Sequence, residues 1–304
     1  MLKEGWLMNN EHSSGRGFGV ITGRRERFHD WRHLPILLLV AFFVLDPLAI
    51  TGQIQQDQSR MQLIADKIDP LIQQNGAKPP DSQTAPPTVN AILDKYVAAI
   101  GGKEAIESLS TIVRTGTFEA VAAGYKGTVE IYSKVPNKFL QTIVVEGVGP
   151  ISQVSDGKMG WVEDPAVGVR EMKGAELAQV LRLSDPHRQI KYRQTYKTIA
   201  LMGKEKVGDI DTYVIEGHPV EGKPDKLYFD VSTGLLVRED IVVISSDSET
   251  PAQMFFEDYR DVGGIKMPFT LRQITPALTS AIKLSDTRIN VPIDDAKFAK
   301  PSNF

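Results

Sequence analysis

From residue 111 to residue 289 the chain alternates apolar and polar side chains in short runs, separated by turns rich in Gly, Asp and Ser. Within 126–134, Val129 and Ile131 fall on one face, and Thr128, Glu130 and Tyr132 on the other. That period of two is the mark of a strand with unlike faces. The same pattern fills 112–121, 139–147, 151–155, 160–163 and 169–173. After one interruption it resumes through 196–202, 204–207, 212–217, 226–231, 235–245, 252–259, 265–273 and 281–289. Asp156-Gly157 is a strong hairpin signal, and Gly208-Asp209, Ser232-Thr233-Gly234 and Gly263-Gly264 punctuate the later strands. About a dozen antiparallel strands joined this tightly form one sheet. A sheet of that width must curl, and its hollow side must be filled or covered.

Two passages break the alternation. Val89, Ile92, Leu93, Tyr96, Val97 and Ile100 lie on one helical stripe that Gly101-Gly102 ends. In the middle of the chain, 174–190 is helical in pattern, with Leu177, Val180 and Leu181 as its apolar positions and Asp185-Pro186 as a stop. The expected fold is therefore mainly β with helices (α+β). A single large antiparallel sheet curls into an unclosed barrel, covered by an N-terminal helix and a mid-chain helical lid.

Upstream of the strands, residues 34–45 are twelve apolar residues without a charge, preceded by Arg24, Arg25, Arg27 and Arg32 and followed by Asp46-Pro47. Twelve is short for a span of ~20 and suits a signal-peptide core. Counted through Ile50 the run reaches the length of an uncleaved anchor. Either way the basic flank stays cytoplasmic and the rest is exported, to the periplasm or cell envelope. Met61, Ile64, Ile68 and Leu71 suggest one short amphipathic helix, and Pro79-Pro80 and Pro86-Pro87 mark a semi-rigid spacer. The expected division is a basic n-region at 1–33, a signal peptide or anchor at 34–52, a helix and linker at 53–87, and a folded domain at 88–304.

Composition removes several function classes. Cysteine is absent from the 304 residues, which excludes disulfides, thiol catalysis and Cys-ligated zinc. A net charge of −3 provides no electrostatic footprint for nucleic acid. His187 and His218 are the histidines of the exported part and lack ligand-like neighbours. Ser155-x-x-Lys158 matches a string used by penicillin-interacting enzymes, but it flanks a hairpin turn instead of opening a helix. Asp209 and Asp211, or Asp294 and Asp295, supply too few oxygens for calcium. No catalytic residue, metal ligand or cofactor is assigned.

Three segments carry a family resemblance. Lys126 to Phe139, a strand followed by Lys134-Val135-Pro136-Asn137-Lys138-Phe139, resembles an element of the periplasmic lipoprotein carriers of the LolA/LolB-like family. Ser155-Asp156-Gly157-Lys158 leading to Trp161 and Pro165 is similar to that family's hairpin. Asn290 to Pro301, with Asp294-Asp295 and Phe298, is similar to the closing segment of outer-membrane lipoprotein-sorting relatives. The resemblance implies an unclosed barrel of about eleven strands whose apolar concavity receives acyl chains beneath a helical lid. Where the family's carriers place an Arg that bonds to the lid, this chain has Val135, which cannot make that bond.

The implied function is a cell-envelope protein holding a lipid or lipoprotein acyl chain, with Trp161, Leu177, Val180, Leu181, Phe229 and Phe256 as lining residues, acting as a monomer. The alternative keeps the fold but fills the hollow with the chain's own side chains and docks on another envelope or membrane protein. An enzyme of unknown type is the minor alternative.

Overall fold

The structure is a computed structural model and describes residues 86–302. The apolar run at 34–52, the short helix at 61–71 and most of the Pro-rich spacer lie outside these residues.

The described chain opens with helix α1 (Val89–Ala99), whose first turn is capped by Thr88: its Oγ1 accepts from the Ala91 N–H at 3.2 Å. A short α2 (Lys103–Glu107) follows. Six strands then run in order: β1 (Thr111–Ala120), β2 (Tyr125–Lys134), β3 (Lys138–Val145), β4 (Gly149–Ser155), β5 (Gly160–Asp164) and β6 (Gly168–Met172). Two helices interrupt, α3 (Gly174–Leu183) and α4 (Arg188–Thr195). Seven strands complete the sheet: β7 (Tyr196–Val207), β8 (Ile210–Pro219), β9 (Asp225–Asp230), β10 (Leu236–Ile244), β11 (Glu249–Val262), β12 (Ile265–Ile274) and β13 (Thr279–Ile289).

All thirteen strands belong to one antiparallel sheet of order β6-β5-β4-β3-β2-β1-β13-β12-β11-β10-β9-β8-β7. Apart from the pairing of β1 with β13, sheet neighbours are neighbours in sequence, so short turns make nearly every connection. The exception is the passage from β6 to β7, the two free edges, which α3 and α4 carry across. The sheet is not closed, and it is strongly curled. Leu177 and Val180 of α3 pack with Val162 of β5 and Met172 of β6, while Gln179 of the same helix bonds β10. β5 and β10 stand eight places apart in the sheet. Flat, that is ~38 Å at a strand spacing of ~4.8 Å, whereas a helix of 10 residues is ~15 Å long. One such helix touches both only because the sheet bends round it.

The strand series expected from the alternation is present, with two differences. Residues 196–207 form one strand: a register shift at Leu201/Gly203 absorbs the break in pattern. The mid-chain insertion is two helices and runs on to Thr195, five residues beyond its expected end. Arg188 to Thr195 is mostly polar, with Ile190 and Tyr192 its apolar positions. Its own periodicity is weak, and burial of Tyr192 in the core holds it.

The concave side carries the main cores. Phe118, Val129, Ile143, Ile151, Phe269 and Ile282 of β1–β4, β12 and β13 pack together. Towards the other end, Leu93 and Tyr96 of α1 and Tyr192 of α4 pack on Ile215, Leu227 and Phe229. The opposite face is covered near β1–β3 by the C-terminal segment, where Ile293 and Phe298 pack with Val113, Tyr132 and Leu140. Lys134 and Lys138 of the first resemblance motif clamp Asp295 of the closing motif at 2.7 and 2.9 Å. These two hydrogen bonds hold the Asp295 carboxyl down at about 2.

Candidate functional site

The crossover of α3 and α4 is fixed over the hollow by polar contacts from each of its turns. Arg170 of β6 makes a bidentate pair with Glu176, at 2.6 and 2.8 Å. Gln179 acts as a substitute strand. Its Nε2 donates to the Val242 carbonyl at 2.8 Å, and its Oε1 accepts from the Ile244 N–H at 3.0 Å. The registered pairing of β9 with β10 reaches only to Asp240, so those backbone groups lie past its end. Arg182 pairs with Asp225 of β9, which also accepts from the Tyr196 hydroxyl at 2.8 Å. Arg188 of α4 pairs with Glu239 of β10 at 2.6 Å.

These groups are deeply placed. The Glu239 side chain is 2% exposed and that of Asp225 1%. Burial raises the Asp225 carboxyl to about 6 against the opposing pull of Arg182. Burial likewise raises the Tyr96 and Tyr192 hydroxyls, and these rings stay neutral. Two glycines admit the close packing. A Cβ on Gly160 would run into the Met172 methyl and Leu177, and one on Gly217 would lie 2.6 Å from the Tyr196 ring.

Between the crossover and the concave face lies an interior cavity of about 180 Å³. Its apolar wall comes from neighbouring strands: Ile112, Ile131, Phe139, Met254, Phe256 and Leu271. The roof is the end of α3, the loop after it and α4, contributing Leu183, Pro186, Gln189 and Tyr192. Phe256 and Tyr259, three residues apart, both line it. Strict alternation would place them on opposite faces, but Asp258 between them takes a left-handed φ of 54° and re-aims Tyr259. A larger hollow of about 500 Å³ lies among Pro224, Val242, Pro251 and Pro276, at one end of β9–β12.

The six residues expected to line the hollow have five different fates. Phe256 faces the cavity. Leu177 and Val180 face the sheet but are consumed in packing on Val162 and Met172. Phe229 is fully buried, its ring centroid 5.2 Å from that of Tyr96. Leu181 looks outward into a groove beside Pro219 and Val220. Trp161 is a correction: it pairs with Val154 and alternates with Gly160 and Val162, which face α3, so its indole projects from the other side of the sheet. The expectation failed there because both faces of β5 are covered: Trp161 is 4% exposed and Val162 3%.

The polar groups Arg114, Gln179, Arg188, Asp225 and Glu239 were not singled out in the sequence. The one available signal was a charge at an apolar-phase position, as with Arg114 two residues after Ile112 and Glu239 two before Ile241.

The remaining chemical candidates have structural surroundings. His187 Nε2 lies 2.9 Å from the Leu109 carbonyl, and His218 pairs with Glu216 at 2.9 Å. The Ser155 Oγ accepts from the Gly157 N–H at 3.0 Å in the hairpin turn, and Asp211 pairs with Lys206. Among the described residues no group of three or more acids and histidines could hold a metal ion. Among them, too, no helix is long and apolar enough to cross a membrane.

No protein-family model matches the chain, and no curated protein does. Solved structures do resemble it. A LolA superfamily protein from Nitrosomonas europaea superposes with a TM-score of 0.49 at 16% identity, covering 71% of this chain and 99% of that one. A DUF1329 family protein from Desulfovibrio piger gives a TM-score of 0.48 at 19% identity, covering 70% and 98%.

Proposed function

We propose that this chain is a cell-envelope binding protein that holds a hydrophobic ligand, a lipid or a lipoprotein acyl chain, against the concave face of its sheet. The carrying observation is the cavity between that face and the α3–α4 crossover, walled by six strands and roofed by helices that join the two free edges. Its apolar wall would drive binding by burial, worth ~25 cal/mol per Å². The apolar run at 34–45 supports an envelope location.

The volume sets the terms. Pockets for drug-sized ligands measure ~300–1,000 Å³, and this one measures about 180 Å³. The form described is therefore a closed one, which accepts a short segment of chain. A longer guest requires the crossover to move outward, against the ion pairs that fix it. Binding coupled to such a movement is slow to begin and slow to reverse.

A second reading is favoured by the aromatic packing at the α1 end. Tyr96, Tyr192, Tyr196 and Phe229 fill the hollow there with the chain's own rings. On that reading the domain docks on another envelope protein and carries no lipid. Titration of the delipidated domain with a fluorescent long-chain fatty acid separates the two. Saturable uptake, displaced by unlabelled fatty acid and weakened by Phe256→Asp, is the expected result. No saturable uptake, with the domain folded by circular dichroism, rejects the lipid reading.

A further inference from the structure

Four arginines lie under or beside the crossover. Arg170, Arg182 and Arg188 each have a carboxylate partner, in Glu176, Asp225 and Glu239. Arg114 does not. It sits on β1 with its side chain in the cavity wall, and its one hydrogen bond among the described residues is a weak donation from Nη2 to the Met267 thioether at 3.7 Å. The acids that line the same cavity are already claimed. Glu239 pairs with Arg188, and Asp185 takes Lys191 at 2.6 Å and the His187 N–H at 2.8 Å.

Other polar atoms around this end are also unsatisfied. The Ser184 hydroxyl and the Gln189 carbonyl oxygen, both on cavity-lining residues of the roof, are buried without a hydrogen-bond partner. So is the hydroxyl of Thr287, which stands opposite Arg114 in the β1–β13 register. Leaving several such groups unpaired inside a protein is costly, most of all for a charge. Burial depresses the Arg114 pKa from its ordinary value, the direction expected for a cation without an anion beside it. The rest of the lining combines apolar side chains with Ser133, Gln141 and the mutually paired Arg188 and Glu239. A cavity with one guanidinium lacking a carboxylate partner, an unsatisfied Ser184 hydroxyl in its roof and apolar side chains such as Ile131, Met254 and Phe256 along its wall is complementary to an amphiphile with an anionic head.

We infer that Arg114 is the headgroup anchor of this cavity, and that the ligand is a single-chain anionic lipid whose carboxylate or phosphate pairs with its guanidinium while the tail lies along Ile131, Met254 and Phe256. The inference rests on the hydrophobic-ligand reading and narrows it to a charge class. The guanidinium presents a planar fork that matches either oxyanion bidentately. The closed cavity, about 180 Å³ or about six water volumes, takes the head and the first part of a chain.

Calorimetry with octanoate, octyl phosphate and octanol at one pH and ionic strength tests this, since the three share a tail and differ in the head. At least one anion should bind roughly tenfold or more tightly than octanol, the scale of one charge-assisted hydrogen-bonded contact. Which anion wins identifies the headgroup source. Arg114→Met should bring the anion-to-octanol ratio towards one, and Arg114→Lys should keep part of it. Octanol binding as tightly as both anions overturns the anchor while leaving the hydrophobic-ligand reading intact, as does a ratio that Arg114→Met leaves unchanged. No binding of any of the three removes both. If Arg114→Met does not fold, the wild-type comparison still decides.

Discussion

Arg188→Met leaves the Glu239 carboxylate 2% exposed and without its partner. At 2.6 Å the pair attracts by ~6 kcal/mol for an effective dielectric of ~20, much of it spent on desolvating both groups. Removing one member of such a pair typically costs ~3–5 kcal/mol, because the other charge remains buried. The guanidinium also lies 5.5 Å from the Tyr192 ring centroid, a contact that methionine keeps only in part. Arg188→Met is thus expected to lose ~3–5 kcal/mol in urea unfolding, a large share of a normal domain's 5–15 kcal/mol. The double substitution Arg188→Met with Glu239→Leu removes both charges and fills the space with apolar atoms. It should recover most of the loss or end more stable than the parent. It should also speed uptake of a long-chain probe, since one polar tie between crossover and sheet is gone. A single-mutant loss below ~1 kcal/mol, or a double mutant as unstable as the single one, would refute the reasoning that this pair is buried and mutually dependent.

Three further outcomes follow from the same geometry. Asp225 has a carboxyl raised to about 6, so between the unfolded value near 4 and about 6 the folded state holds more protons than the unfolded state. Stability should therefore fall as pH rises through that window, by at most ~3 kcal/mol. Asp225→Asn should remove that part of the slope, and equal slopes in chemical denaturation at pH 4 to 6.5 would contradict it. Gln179→Leu strands the Val242 carbonyl and the Ile244 N–H, and should cost ~1–3 kcal/mol with faster amide exchange at Ile244. Unchanged exchange there would count against the bridging role. Gly217→Ala places a methyl against a Tyr196 ring that Asp225 and the stacked Tyr192 hold in place. A loss of ~1–3 kcal/mol in thermal or urea unfolding is expected, and a neutral substitution would show that the ring is free to move.

How much of this was legible in the sequence depends on the kind of information asked for. Strands and hairpins are local, so alternation and turn residues located them: the Asp156-Gly157 turn stands where expected, with the Asp156 Oδ1 accepting from the Lys158 and Met159 N–H groups at 2.8 Å each. Helix α1 was likewise carried by its own apolar stripe. Alternation says which residues share a face, however, and not which face is hollow. Trp161 and Phe256 look alike in sequence and project from opposite sides of the sheet. That choice is made by the pairing of β1 with β13 and by the direction of curl, contacts between residues some 170 positions apart. The polar ties of the crossover were illegible for a related reason. Gln179, Arg188 and Glu239 are ordinary surface types in their own segments, and only the bent sheet brings Gln179 to the Val242 carbonyl and Arg188 to Glu239. Helix α4 was cut short because its packing, and not its pattern, sustains it.

Native mass spectrometry of the protein, purified without detergent, tests most directly whether the hollow holds a guest. The expected spectrum contains a species heavier than the bare chain by one discrete lipid mass, lost on solvent extraction and regained when the extract is returned. A spectrum of bare chain alone, before and after incubation with that extract, would contradict the proposal that this fold carries a hydrophobic ligand.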